Sequence, residues 1–297
     1  DTEKIPLYRQ MAIRLRENIR CHALNDKGYF NGVYTDGGEW ILSSQDPDGV
    51  ERPYGVVNWF AVISGTMEKE PLQMVYRVMD KLKSPYGMRL FYPAMGEHPL
   101  PHVGRIASGD VPPYMGENGN VYNHGSQGFL ARALAAMGDG NALFDILNWL
   151  LPYREDRHPP EKTMTPPYAI VNCWQQLPIF DHRGMLCFLT GSVAMAVRGV
   201  YEWLMGIQPA LDGLYLNPCL PSDWDEASIS IPYRQSNLTV HIHRGKKSKL
   251  SVNGQDVMER RRPLFAYRKA FFIKNSVLCR ENNRIDLTLE DTNDEHI

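Results

Sequence analysis

Apolar residues recur at helical spacing through the first two thirds of the chain, as in Leu7, Met11 and Leu15. This period predicts amphipathic helices, because residues three and four positions apart share one helix face. Asn141 is the predicted N-cap of one of them. The predicted helices cover residues 7–24, 70–83, 125–137, 141–151, 169–177 and 190–206.

After Gly206 the pattern changes to an alternation of apolar and polar residues, which is typical of strands. We therefore interpret residues 1–211 as helix pairs that form part of an (α/α)6 toroid, and residues 212–297 as a small antiparallel β-sandwich. The predicted helices are about half of the number that a closed toroid needs. The predicted strands are 214–216, 228–234, 238–243, 249–253, 264–272 and 285–289.

Composition argues against several function classes. The chain has 32 basic and 34 acidic residues and a net charge of -2, so nucleic acid and anionic membrane surfaces are not expected partners. No apolar run is long enough to span a bilayer. The 5 cysteines form no CxxC pair, and the histidines form no recognisable ligand set. We predict a cytoplasmic protein without a metal or a cofactor.

The first candidate for chemistry is the aromatic loop from Tyr34 to Trp40, which contains Asp36 and Glu39. Cleavage of a glycosidic bond needs a proton donor, and a carboxyl group partly desolvated by aromatic rings can have its pKa raised for that task. A hydrolase would need a second carboxylate. Asp-Gly-Gly is also an ordinary turn sequence. From these residues alone, both interpretations stay open.

Two predicted helix starts are candidate anion sites. His124 and Ser126 follow Glu117-Asn-Gly just before one helix, and Thr190-Gly191 opens another. Backbone N–H groups and the helix dipole favour an anion at such a position. Ser and Thr are also common N-caps, so each site has a purely structural alternative. The P-loop pattern is absent, and a nucleotide is therefore not implied.

Taken in order, these segments resemble glycoside hydrolase family 94, which includes the cellobiose and chitobiose phosphorylases. The resemblance covers about residues 5–245. It depends on the loop at 34–38, Trp59 to Gly65, Glu117-Asn-Gly with His124 seven residues later, and Thr190-Gly-Ser. The stretch from Asp212 to Leu220 is similar to the entry into the C-terminal sandwich of that family.

The resemblance implies a role for each matched residue. Asp36 corresponds to the general acid, and Tyr34 lines the subsite of the transferred sugar. His124, Thr190 and Gly191 correspond to phosphate-binding positions. Glu117 opens a motif that shapes the sugar site.

The resemblance also implies the reaction, which is inverting phosphorolysis of a β-linked gluco-oligosaccharide to an α-sugar 1-phosphate. Inorganic phosphate is the co-substrate, and β-1,2-oligoglucans are the first expected donors. The implied partners include the absent N-terminal half of the barrel, in cis or in trans, and a second copy in a homodimer. Two alternatives stay open: a hydrolase or transglycosylase of a related barrel, with Glu39 or Glu117 as base, and a non-catalytic carbohydrate-binding fragment or subunit.

Overall fold

The computed structural model describes residues 2–96, 111–152, 154–166, 168–187, 190–263 and 266–290. Part of the predicted strand 264–272 lies outside the described residues. A π-helical turn, Asn123–Gly128, leads directly into α4, and a second, Gly199–Leu204, continues α7. The α-helices are α1 Ile5–Ala23, α2 Gly55–Ile63, α3 Pro71–Leu82, α4 Phe129–Met137, α5 Gly140–Leu150, α6 Pro160–Thr163 and α7 Thr190–Arg198.

The predicted helices are confirmed to within a few residues, with two exceptions. The N-cap of α5 is Asp139, whose side chain accepts from the Ala142 N–H at 3.0 Å, and not Asn141. Asn141 instead bonds Ser222 of the sandwich. The predicted helix at 169–177 is wrong, because the chain there forms a short strand whose backbone groups pair with distant segments.

The strands form small two- and three-stranded sheets among the helices and two larger sheets after Gly206. The strands are β1 Val33–Tyr34, β2 Trp40–Ile41, β3 Lys83–Ser84, β4 Gly87–Met88, β5 Val121–Tyr122, β6 Cys173–Trp174, β7 Gly184–Met185, β8 Ile207–Pro209, β9 Gly213–Leu216, β10 Glu226–Tyr233, β11 Ser236–Gly245, β12 Lys249–Val252, β13 Gln255–Asp256, β14 Arg260–Arg261, β15 Ala270–Lys274 and β16 Asn282–Glu290.

Two facing sheets form the C-terminal part, in the orders β10-β11-β16-β12-β13 and β14-β15-β9-β8. The prediction of a purely antiparallel sandwich is wrong for one pair, since β11 and β16 run parallel. A parallel pair needs a connection of a dozen or more residues, and residues 246–281 provide it. The inner faces of both sheets bury apolar side chains such as Val240 and Phe271.

One hydrophobic core joins the helices to the sandwich, and Trp59 of α2, Leu134 of α4 and Leu147 of α5 lie in it. The first helix is different. Its polar side faces the molecule, where Arg16 bonds the Gly65 carbonyl. Its apolar residues are exposed within the described part of the chain, with Leu15 at 61%. α1 therefore presents an apolar surface that the described residues leave open.

Candidate active site

The aromatic loop forms a tight hairpin with Asp36 at its tip. β1 and β2 pair antiparallel, and the Thr35 N–H donates to the Glu39 carbonyl at 2.8 Å. Gly38 has a φ of 82°, which a residue with a side chain rarely adopts. The sequence is thus a turn, as its Asp-Gly-Gly suggested. The same turn places Asp36 at an exposed position between two paired strands.

Tyr34 and Trp40 face each other across this hairpin and form an aromatic platform beside Asp36. They are register partners, and their ring centroids lie 5.0 Å apart. Tyr34 is 61% exposed, so its ring is available to a ligand. Flat aromatic faces suit the apolar C–H faces of sugars. Trp40 was not among the predicted site residues, although its aromatic type beside Asp36 was a usable signal.

The surroundings of Asp36 differ from the expected partial desolvation. The side chain is exposed, because it lies at the tip of the hairpin. Within the described ranges no hydrogen bond, ion pair or ring contact joins Asp36 to His124 or Gly191. The hairpin is connected to that region indirectly, since Leu42 packs in an apolar cluster that includes Tyr122.

The loop after the undescribed residues 97–110 is held by two buried asparagines. The Asn118 side chain accepts from the Met95 N–H at 2.7 Å and donates to the Met95 carbonyl at 3.1 Å. Asn120 donates to the carbonyls of Tyr114 and Gly116. Between the asparagines, Gly119 has a φ of 77°, and a Cβ there would lie 2.7 Å from the Ala94 Cβ. The Glu117-Asn-Gly motif therefore fixes the backbone.

We expect Gly119→Ala to destabilise the protein by about 2 kcal/mol or more, because it combines a left-handed backbone with a steric overlap. The matched control is Gly96→Ala, since among the described residues a Cβ at Gly96 has no neighbour within 4 Å. Denaturant unfolding of both variants measures the difference. Equal free energies of unfolding would show that the loop tolerates the change.

Glu117 is half-buried beside two tyrosines. Burial raises the pKa of Tyr122; a hydrogen bond with Asn172 lowers it, and the Glu117 carboxylate raises it again. Burial also raises the pKa of Tyr54, with Glu117 as the next cause. Both phenols therefore stay protonated at neutral pH. They line the approach to Glu117 with hydroxyl groups suited to a polyhydroxylated ligand.

The structure brings His124 and Gly191 together from distant parts of the sequence. His124 lies in the π-helical turn before α4, and Gly191 is the second residue of α7. A Cβ at Gly191 would lie 3.1 Å from His124 Nδ1. The imidazole ring is therefore against the first turn of α7, where Thr190 is the first residue. The side chain of Thr190 is outside the description.

Asn172 connects the parts of this region, and sequence reasoning missed it. Its side-chain oxygen accepts from Ser192 Oγ at 3.0 Å, and its backbone carbonyl accepts from the Asn123 N–H at 2.7 Å. Its side chain also bonds the phenol of Tyr122. Asn172 therefore contacts Ser192 beside Gly191 and Tyr122 beside Glu117 through its side chain, and Asn123 beside His124 through its backbone carbonyl. No local sequence pattern signals these partners, which lie 20 to 50 residues away.

No group of three or more metal-ligating side chains exists among the residues that the structure describes. In the same residues, no helix is both long and apolar enough to cross a membrane.

Family models match both parts of the chain. The model of the glycosyl hydrolase 94 superfamily catalytic domain matches residues 1–206, and that of the glycosyl hydrolase family 65 C-terminal domain matches residues 209–259. The first match includes every residue of the candidate active site, from Tyr34 to Ser192.

Curated relatives include several phosphorylases. Solabiose phosphorylase from Paenibacillus borealis is 29% identical over 264 residues, which cover 86% of this chain and 33% of that protein. N,N'-diacetylchitobiose phosphorylase from Vibrio proteolyticus is 28% identical, with 87% and 32% covered. 3-O-beta-D-glucopyranosyl-beta-D-glucuronide phosphorylase from Paenibacillus borealis is 28% identical, with 82% and 31% covered.

The chain spans about a third of the length of these relatives. The family model nevertheless matches more than half of the chain, from residue 1 to residue 206. The chain therefore belongs to the glycosyl hydrolase 94 superfamily.

Proposed function

We propose that the protein containing this chain is an inverting glycoside phosphorylase that cleaves a β-linked gluco-oligosaccharide with inorganic phosphate. The main support is the contact between His124 and Gly191 at the start of α7, in a chain that is similar to several phosphorylases. This region has the properties of an anion site, while the exposed carboxyl of Asp36 lies beside an aromatic platform.

The reaction needs one proton donor from the protein. A phosphate oxygen attacks the anomeric carbon from the face opposite the leaving group, and the glycosidic C–O bond breaks. The leaving oxygen takes the proton of the Asp36 carboxyl. Because phosphate is already an anion, no second carboxylate is needed to activate it, in contrast to an inverting hydrolase. Inversion converts a β-linkage into an α-sugar 1-phosphate.

Phosphate would lie between His124 and the first turn of α7. The Gly191 backbone N–H and the positive end of the helix dipole favour an anion there. We assign Thr190 to the same site by its position as the first residue of the helix. The absence of a side chain at Gly191 lets the imidazole and the backbone approach one anion together.

The sugar bound next to the cleaved bond would stack on Tyr34 and Trp40. Glu117 and the phenols beside it would bind its hydroxyl groups. This arrangement supports a β-linked glucoside, with β-1,2-oligoglucans as the first donors to test.

The proposal includes a first half of the (α/α)6 barrel, in the same polypeptide or in a separate one. The exposed apolar residues of α1, such as Leu7, Met11 and Leu15, are suited to pack against it. The matched relatives contain about three times as much chain. In this proposal the barrel ends near residue 211, the sandwich forms residues 212–297, and two copies associate as a homodimer.

The test is sugar 1-phosphate release from β-1,2-, β-1,3- and β-1,4-gluco-oligosaccharides by the natural protein that contains this chain. We expect release with phosphate and none without it. Free sugar formed at the same rate without phosphate would contradict the proposal and favour a hydrolase. Tight sugar binding by folded protein without turnover would favour a binding subunit.

A further inference from the structure

A buried pair of histidines packs against Trp174 of β6. His158 Nδ1 and His182 Nε2 are 3.0 Å apart, and the two side chains are 4% and 2% exposed. The His158 ring stacks on Trp174 at 4.3 Å, and the His182 ring stacks on Tyr86 at 3.8 Å. Neither histidine belongs to the proposed catalytic or binding groups.

The hydrogen bonds fix the tautomer of each ring. His158 Nε2 lies 2.8 Å from the carbonyl oxygen of Trp149, which can only accept, so this nitrogen carries a proton. In a neutral His158 ring, Nδ1 is then an acceptor. His182 must therefore donate from its Nε2–H. The pair is a directed chain from His182 to His158 to the end of α5, and this direction holds only while His158 is neutral.

The pair is joined to the candidate site through β6. Trp174, which stacks on His158, is in β6 between β5 and β7. Asn172 lies two residues earlier, and it bonds Ser192 and Tyr122. Movement of β6 would therefore displace the Asn172 side chain. This side chain connects Ser192, next to Gly191, to Tyr122, beside Glu117.

His182 has a φ of 65°, a left-handed backbone that is uncommon for a residue with a side chain. Such a conformation persists where the surroundings enforce it, and it is a reason to look for a function. Here its immediate effect is to turn the ring inward between Tyr86 and His158.

We propose that His158 and His182 are positioning residues, which hold β6 and Asn172 against the phosphate site as a neutral pair and loosen this hold in acid. The expected effect on the KM for phosphate depends on the proposed function. The hold of the pair on β6 depends only on the contacts of the two histidines.

Burial opposes protonation of the pair, and the surrounding charges act in both directions. Burial lowers the pKa of His182 to about 4, helped by His158 and Lys162 and opposed by Asp181. Burial also lowers the pKa of His158; the Trp149 carbonyl raises it, Arg157 lowers it and Asp156 raises it. Asp181 is itself bonded by the Tyr86 hydroxyl at 2.5 Å.

The sign of the pH effect follows from the depressed pKa of His182. When the segment opens, His182 regains an ordinary pKa of 6.5, so the open form binds more protons between pH 6.5 and about 4. Opening is therefore disfavoured above pH 6.5 and becomes more favourable as the pH falls. Between pH 7.5 and 5, the opening equilibrium should rise about 30-fold.

Two variants separate the hydrogen bond from the titration. His182→Gln keeps a donor where Nε2 lies but cannot titrate, whereas His182→Leu has no donor. Both place a residue with a side chain in the same left-handed backbone, so this cost is common to the two and their difference reports the polar contact. The experiment uses the natural protein that contains this chain, with hydrogen exchange of peptides within residues 168–187 and the KM for phosphate.

In the wild type, exchange corrected for its intrinsic rate should accelerate about 30-fold from pH 7.5 to 5. His182→Gln should reduce this acceleration to the part that His158 contributes, and it should keep the wild-type KM. At neutral pH, His182→Leu should raise the KM for phosphate about tenfold, with a smaller change in kcat. The same acceleration in His182→Gln, or an unchanged KM in His182→Leu, would overturn the proposal. A protein without phosphorolysis would refute the proposed function, while the exchange result would still decide the acid release.

Discussion

Replacing Asp36 with Asn is expected to abolish phosphorolysis of unactivated oligosaccharides, with a loss of about a thousandfold in kcat. General acid catalysis contributes roughly a hundredfold to ten-thousandfold, and Asn cannot supply the proton that the leaving oxygen needs. Asp36 lies exposed at a hairpin tip without a hydrogen bond from the described residues. The fold should therefore tolerate the change, and sugar 1-phosphate release measures it.

An activated donor distinguishes a general acid from a residue that only binds sugar. A dinitrophenyl β-glycoside releases a stable anion, which needs no proton. Asp36→Asn should therefore keep much of the wild-type rate with this donor. An equal loss on both donors would mean that Asp36 acts in binding and would remove it from the mechanism.

Glu39→Gln is the matched control, because Glu39 is the other carboxylate of the same hairpin. In a phosphorylase it has no assigned proton transfer, so its substitution should leave kcat close to the wild-type value. In a hydrolase Glu39 is a candidate base, and its loss would be severe. Comparison of these variants therefore separates the two mechanisms.

The helices and strands that pattern could predict are those with long, regular periods. α3, α5 and most strands of the sandwich match the predicted segments because each buries one face along its length. α1 matches by its period alone, since its apolar residues are exposed. The short stretch at 169–177 carries no such signal. Its conformation is set by pairing of β6 with β5 and β7, which is a long-range property.

The residues of the candidate site also differ in whether the sequence could predict them. Asp36, His124 and Gly191 could be proposed from the sequence because they belong to ordered motifs with fixed spacing. Asn172 could not, because its importance is in three contacts with residues that only the fold brings near. The orientation of β16 was also missed, since a strand pattern does not state the direction of its neighbour.

His124→Ala is expected to raise the KM for phosphate and to lower kcat/KM for phosphate by about 10- to 150-fold. A hydrogen bond to a charged group contributes roughly 1.5–3 kcal/mol, which corresponds to that range. The imidazole lies against the first turn of α7, where Thr190, the Gly191 N–H and the helix dipole would remain to attract the anion. The measurement is initial rate against phosphate concentration at saturating sugar.

Gly191→Ala tests the same site by adding a methyl group next to His124. Its added Cβ would lie 3.1 Å from His124 Nδ1, which must shift by a few tenths of an ångström. We expect a higher KM for phosphate and an unchanged KM for sugar. Val193→Ala is the matched control, because Val193 is exposed two residues further along the helix.

The two substitutions also test each other. If both residues contact one phosphate, the double variant should lose less than the sum of the separate free-energy losses, because each change already disturbs the shared anion. Losses that add would indicate independent roles. An unchanged KM for phosphate in both single variants would locate the anion elsewhere and refute the assignment of α7. A large coupling confined to phosphate would support the Gly191 N–H and the His124 ring as two sides of one anion site.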